Sequence, residues 1–283
     1  RGGFVRGRVP ALLGRHCLGH SFTKDAVEPR NPLSEDHVPL QPSLLPGLLG
    51  ALAGNSRAGA KSVRLFEIGR AFLPPDAAED RRLVLLLAGS TQSSAHWRSG
   101  RLRPLDLYDL KGALDALDLG PLRWERKENA NFALAAGIYS DTTLLGIGGQ
   151  LSSAQAGGSA PVFVAEMTLP NEIEIAQKTR RFQELQRFPA VTRDIALLAP
   201  EVLTHAEILA SLTSGDEPLL AEVQLFDLFS GEGAASLGDG RKSLAYSLTY
   251  QDKNRTLTHD EVNAAHDRIR QRLQRDLKVE LRE

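Results

Sequence analysis

A chain of 283 residues is long enough for two folded domains at roughly 150 residues each. Its content of 42% hydrophobic and 24% charged residues is that of ordinary globular proteins and excludes wholesale disorder or low-complexity repeats. Thirty-four Lys and Arg against 35 Asp and Glu leave a formal charge of -1, which excludes nucleic-acid binding through bulk charge, so any RNA site must be local.

Cys17 is the single cysteine, so no intrachain disulfide is possible and a reducing, cytoplasmic setting fits best. The aliphatic run Leu83 to Leu87 is far shorter than the roughly 20 residues that span a bilayer, and the Arg-rich start lacks the apolar segment of a signal peptide. No membrane or export step is expected. With Arg1 first and Met167 the sole methionine, the sequence reads as the later part of a longer polypeptide.

In chain order, His16, Cys17 and His20 have a spacing that suggests metal, but three ligands without an evident fourth read as packing, and no metal site is assigned. Ser43 signals a helix with Leu44, Leu45, Leu48, Leu49 and Leu52 on a wide apolar face. His96 and Trp97 read as a packing element near a loop. A second apolar stripe, Leu107, Leu110, Leu114 and Leu117, runs up to Gly120. The Gly146-Ile147-Gly148-Gly149 run is a weak phosphate-loop candidate. No basic residue follows closely and its context is strand-like, so a tight turn or bulge is the preferred reading.

Charge changes sign along the chain: residues 1–180 hold 21 basic and 18 acidic side chains, residues 181–283 hold 13 and 17. The polar stretch from Gln177 to Gln186 precedes Phe188-Pro189, where proline favours an extended predecessor, so the boundary is placed near Arg181. The domains are therefore 1–180 and 181–283. In the second, Thr204 with Glu207 and Thr258 with Glu261 are capping boxes, each followed by helix-spaced apolar residues. Strand-like runs lie at Ile195 to Leu198, Val223 to Phe229, Leu244 to Tyr250 and Val279 to Leu281, and the Gly-rich link from Gly231 to Gly240 joins the middle pair as a hairpin. The order is β-α-β-β-α-β, the ferredoxin-like split motif, with both helices on one face of a four-stranded antiparallel sheet and the other face open.

Period-two alternation assigns the faces. Leu244, Tyr246, Leu248 and Tyr250 should meet the helices, with Ser243, Ala245, Ser247 and Thr249 opposite. Ile195 and Leu197 face in and Ala196 faces out. A carboxylate is costly in a core, so the set Leu225, Asp227 and Phe229 should be the open one. Ala196, Asp227, Phe229 and Ser243 then form one patch. An exposed aromatic on a sheet can stack an unpaired base, and a nearby carboxylate can accept from guanine's donor edge. From the residues alone, packing of Phe229 and capping of a turn by Asp227 stay open as the competing reading.

The segments FPAVTRDIALL at 188–198, LFDLFSGEG at 225–233, KSLAYSLTYQD at 242–252 and RTLTHDEVN at 255–263 together resemble the anticodon-binding domain that closes the β subunit of bacterial phenylalanyl-tRNA synthetases. NPLSEDHVPLQPSLLPGLL at 31–49, LFEIGRAF at 65–72 and LDLYDLKGAL at 105–114 are similar to the synthetase-like domain that precedes it in the same subunit. The resemblance implies an α+β chain, a class II synthetase-like antiparallel-sheet domain followed by the ferredoxin-like domain. It implies a noncatalytic subunit that binds the anticodon of tRNA(Phe) and supports α2β2 assembly with an α subunit carrying the active site. ATP and Mg would be used by that complex, with no cofactor or metal held by this chain, and neither DNA nor membrane is an expected partner.

Where a catalytic class II strand would carry an arginine two residues before a glutamate, this strand reads Leu65-Phe66-Glu67. Asn131 to Ala135 stand where the family usually has a His-Pro-Gly-Arg-type stretch, and Phe229-Ser230 where it often has Tyr-Arg. Carried over residue by residue, the contacts to the first anticodon base fall on Asp227, Phe229 and Ser243, with Ala196 lining the site. Arg193, Lys242 and Arg255 are expected at nearby phosphates. A stand-alone RNA-binding module is the alternative function. A catalytic single-chain synthetase of organellar type is third, disfavoured by the missing arginine.

Overall fold

The computed structural model describes residues 4–6, 12–14, 22, 26–29, 37–91, 103–117, 119–158, 160–169, 187–214, 217–230 and 240–282. His16, Cys17, His20, His96, Trp97 and the boundary expected near Arg181 lie outside them. Two compact units divide the chain, Arg1–Lys178 and Thr179–Glu283.

In the first unit the strands are β1 (Val5–Arg6), β2 (Leu12–Gly14), β3 (His37–Leu40), β4 (Val63–Leu73), β5 (Ala78–Ala88), β6 (Leu122–Lys127), β7 (Phe132–Ser140), β8 (Thr143–Leu151) and β9 (Val162–Thr168), with helices α1 (Leu45–Arg57), α2 (Leu107–Asp115) and the single turn α3 (Ser153–Ala156). Seven strands form one sheet in the order β1-β4-β5-β9-β8-β7-β6, antiparallel except for the edge pair β1 and β4. β2 and β3 pair separately. The aliphatic run in β5 explains its own position. Val84, Leu86 and Ala88 pack on the α1 side, while Leu83, Leu85 and Leu87 pack on the α2 side, so both parities are apolar because both faces are covered.

The apolar face expected of α1 is present, with Leu44, Leu45, Leu48, Leu49 and Leu52 all buried. Its N-terminus is served by Glu166 of β9, whose carboxylate accepts from the Leu44 N–H at 2.9 Å and from the Ser43 hydroxyl at 2.8 Å. A carboxylate at that end meets both unpaired N–H groups and the positive end of the helix dipole. α2 begins in a capping box of two aspartates, Asp106 and Asp109, both bridged by Arg103. The helix stops at Asp115, so Leu117, expected in the core stripe, is instead 44% exposed.

Gly146 to Gly149 lie inside β8 between two hydrogen-bonded neighbours, so the run is neither a phosphate loop nor a turn. A Cβ on Gly146 would come within 2.1 Å of the Glu166 carbonyl oxygen, which makes close strand approach the reason for glycine there. A register shift between the Ile138 and Tyr139 pairings adjoins it, in line with the expected bulge.

The second unit runs β10 (Val191–Pro200), α4 (His205–Thr213), β11 (Leu220–Phe229), β12 (Arg241–Tyr250), α5 (His259–Leu277) and β13 (Glu280–Arg282). The sheet order is β11-β12-β10-β13 with every neighbouring pair antiparallel, the arrangement expected of the split motif. Both predicted capping boxes form. The Thr204 hydroxyl accepts from the Glu207 N–H at 3.2 Å while Glu207 accepts from the Thr204 N–H at 2.7 Å, and Thr258 with Glu261 does the same for α5.

One core joins the sheet to both helices. Ile195, Leu197, Leu244, Tyr246, Leu248 and Tyr250 meet Ile208 and Leu212 of α4 and Val262, Ala265, Ile269 and Leu273 of α5. The two buried tyrosines are satisfied by histidines: the Tyr246 hydroxyl lies 2.8 Å from His205 Nδ1 and the Tyr250 hydroxyl 3.1 Å from His266 Nδ1. Burial pushes the Tyr246 phenol up to about 12 and the His266 imidazole below its ordinary value. Arg272 of α5 donates to the Ser211 and Leu212 carbonyls at the end of α4, tying the two helices together.

Candidate nucleic-acid interface

The face of the second unit's sheet turned away from α4 and α5 carries no helix of that unit among the described residues. Antiparallel partners that lie opposite one another project to the same face, so the register spells out this surface row by row. Phe229 of β11 lies opposite Ser243 of β12, which pairs with Leu198 of β10, which pairs with Glu280 of β13. The next row is Asp227, Ala245, Ala196 and Arg282, followed by Gln224, Ser247 and Asp194, then Glu222, Thr249 and Thr192. Apart from Leu198, the residues on the two central strands are small or short-chained, whereas the side chains on the edge strands β11 and β13 are larger and polar or aromatic. The result is a trough two strands wide, with Asp227 and Arg282 separated by three strand spacings, about 14 Å.

Phe229 is 44% exposed at one end of this trough and Asp227 stands one row away on the same strand. Ser243 and Ala196 complete the four-residue patch expected from alternation. Leu225 does not belong to it. A register shift between Leu225 and Asp227 leaves Phe226 as an extra residue in β11, so Leu225 pairs with buried Tyr246 and packs into the core. The bulge restarts the alternation and turns Asp227 and Phe229 outward.

The three expected phosphate-binding residues are not gathered at this patch. Arg193 pairs with Leu248 on the helix side, where its guanidinium lies 3.4 Å from Asn263 Oδ1 and 3.3 Å from His259 Nδ1. Lys242 has the parity of Leu244 and donates to the Glu201 carbonyl at 2.9 Å. Arg255 sits ahead of α5 and pairs with Glu261 at 2.6 Å. That ion pair, with the Thr258 N–H, holds the Glu261 carboxyl down at about 2.

Two cations that sequence reasoning did not single out do reach the open face. Arg282 closes the row of Asp227, and Arg241 donates to Glu280 at 2.9 Å across the neighbouring end of the trough. Leu281 packs inward, so one further step of alternation would have placed Arg282 outward.

A sheet platform with an exposed aromatic, an adjacent carboxylate and an arginine on the far wall has the kinds of group that single-strand nucleic-acid readers use. The comparisons with known proteins agree with that class. Residues 186–282 match the family model described as ferredoxin-fold anticodon binding domain, and residues 15–169 match the phenylalanyl tRNA synthetase beta chain CLM domain. The phenylalanine–tRNA ligase beta subunit of Moorella thermoacetica is 35% identical over 270 residues, covering 91% of this chain and 33% of that protein. Those of Geobacillus kaustophilus and Haemophilus influenzae are 34% and 32% identical, over 88% and 99% of this chain and 32% and 35% of theirs. The chain thus spans about a third of the length of the curated relatives it matches. It belongs to the phenylalanyl-tRNA synthetase beta chain family.

Proposed function

We propose that this chain is the tRNA-reading, noncatalytic β-subunit part of a phenylalanine–tRNA ligase, binding the anticodon of tRNA(Phe) on the open sheet face of its second unit. The observation that carries this is the convergence of Phe229, Asp227 and Ser243 on the sheet face opposite α4 and α5, floored by Ala196 and Ala245. Phe229 stacks on the first anticodon base, and the Asp227 carboxylate accepts from the amino and imino hydrogens of guanine's Watson–Crick edge. Arg282 stands across the floor as the cation for the nucleotide's phosphate.

Attachment of phenylalanine would use ATP and Mg on an α subunit, in an α2β2 assembly in the cytoplasm. Leu65 supports that division of labour. It lies in the hydrophobic core beside Leu86 and supplies no cation for a triphosphate at the position where a class II strand would use arginine. Among the described residues no helix is long and apolar enough to cross a membrane.

The test is binding of a tRNA(Phe) anticodon stem-loop to the chain and to its Phe229→Ala variant. Stacking on one aromatic is worth about 1–3 kcal/mol per base, so the variant should bind roughly 5- to 150-fold more weakly while melting at the same temperature. Equal affinity of variant and wild type would overturn the stacking role.

A further inference from the structure

The outer strands of the two larger sheets are protected against further pairing in different ways. Among the described residues β1 has two residues and β13 three, too short to template another strand, and β6 carries Arg123, Arg126 and Lys127, the kind of charge that blunts an edge. β11 has neither protection. It is ten residues long, no described strand pairs with its outer side, and its sequence LAEVQLFDLF contains Glu222 and Asp227 but no cation. Neither carboxylate has an ion-pair partner among the described residues, and Phe226, Leu228 and Phe229 are exposed apolar side chains on the same strand.

Register shifts at Ala221 and Phe226 bracket a regular run from Glu222 to Leu225. Every second residue of such a run directs its N–H and C=O away from β12, so the run offers a ladder to one more strand. Its two faces differ in character. Glu222 and Gln224 lie on the open face with Thr249 and Ser247, whereas Val223 and Leu225 lie beside buried Leu248 and Tyr246. At the start of the run an open cavity of about 560 Å³ is lined by Pro218, Leu220, Ala221 and Val223, with the carboxylates of Glu217 and Glu222 among them.

We propose that the outer edge of β11 receives an extended segment of a partner protein whose alternate residues are lysine or arginine, docked as a fifth strand. Charge selects this occupant. A second copy of β11 would place four carboxylates on one face of two neighbouring strands with no cation between them, and like charges side by side destabilise a sheet. An alternating segment instead sets its cations beside Glu222 and Asp227 on the open face and its apolar side chains beside Val223, Leu225 and Leu228. A lysine or arginine at its end fits the cavity, with the stem on the apolar wall and the head at a carboxylate. Main-chain hydrogen bonds supply the affinity in such strand additions, and the alternate side chains choose the partner.

The probe is a fluorescein-labelled hexapeptide of alternating lysine and valine, titrated into the 283-residue chain and followed by fluorescence anisotropy and amide hydrogen exchange. Saturable binding should protect alternate amides of β11. A peptide methylated at every backbone nitrogen keeps the charge but donates no hydrogen bond, and the loss of two such bonds should weaken it roughly 30-fold. Glu222→Lys, a substitution at an exposed position, should weaken the lysine peptide by up to about fivefold and strengthen a glutamate–valine peptide. Equal binding of the methylated peptide, protection that falls outside β11, or no binding of the lysine peptide would each overturn the proposal. Protection of β11 that grows with protein concentration in the absence of peptide would assign the edge to a second copy and overturn the basic segment as its occupant.

Discussion

The two sheets of this protein differ in how many faces they bury. β5 of the seven-stranded sheet has Leu85 on one core and Leu86 on the other, both almost fully inaccessible, and its second half, Leu83 to Ala88, is an unbroken apolar run. β12 of the four-stranded sheet alternates instead: Leu244, Tyr246, Leu248 and Tyr250 are buried beneath two helices, and Ser243, Ala245, Ser247 and Thr249 look the other way. An uncovered face costs a domain half of the apolar burial its sheet could supply. Small polar residues make that face tolerable in water, and a recognition site can occupy it without disturbing the core.

Substitutions along these two strands test the contrast most strongly. Leu85→Ala and Leu86→Ala should each destabilise the first unit by about 2–5 kcal/mol, since both leave cavities in packed cores. In β12 the effect should alternate: Leu248→Ala costs about 2–5 kcal/mol, whereas its neighbour Ser247→Ala stays within about 0.5 kcal/mol. Urea denaturation followed by circular dichroism would measure all four, and a large loss for Ser247→Ala would show that the open face is a hidden core.

A smaller effect is expected at the end of α5, the longer of the helices on the covered face. Thr258→Ala removes the acceptor for the Glu261 N–H and should cost about 1 kcal/mol. Its partner Glu261 is held well below the usual carboxylate range by the Arg255 hydrogen bond and ion pair. The stability this provides is present above the ordinary carboxylate value near 4.5 and disappears as pH falls toward about 2. Acid melts of wild type and Glu261→Gln should therefore converge in that window. Curves that stay parallel to the lowest pH would contradict the coupling.

The mildest expected effect concerns His266, buried beside Tyr250. Burial lowers its pKa below 6.5, so the unfolded chain takes up its proton first as pH falls. Stability should drop progressively below pH 6.5, and His266→Gln should flatten that part of the profile. A profile unchanged by the substitution would assign the pH dependence to other groups.

Much of the second unit was legible in the sequence because its signals are local. Two capping boxes set the helix starts, and strict alternation in β12 separated the faces. Leu225 was misplaced because a bulge adds one residue without any mark in composition, and only the pairing with β12 reveals where the alternation restarts. Arg193 and Lys242 were expected near phosphates on the strength of charge, although each shares parity with an inward neighbour, Ile195 and Leu244. The alternation that found Asp227 would have removed them from the patch, and continued along the last strand it would have added Arg282. In the first unit, α2 carries its own start signal at Asp106, which a search for glutamate at the third position passes over because Asp109 does the same work. Leu117 continued the helical stripe in sequence, but the helix ends two residues earlier.

The most direct test of the central claim, that the uncovered face reads the anticodon, is a methyl NMR titration of the alanine-labelled chain with the tRNA(Phe) anticodon stem-loop. Ala196 and Ala245 floor the trough, while Ala199 and Ala265 lie in the core beneath the helices. The account predicts that the Ala196 and Ala245 methyl signals shift and saturate with the RNA while those of Ala199 and Ala265 remain in place. Saturable binding that moves the core or helix-side signals and leaves Ala196 and Ala245 unchanged would contradict it.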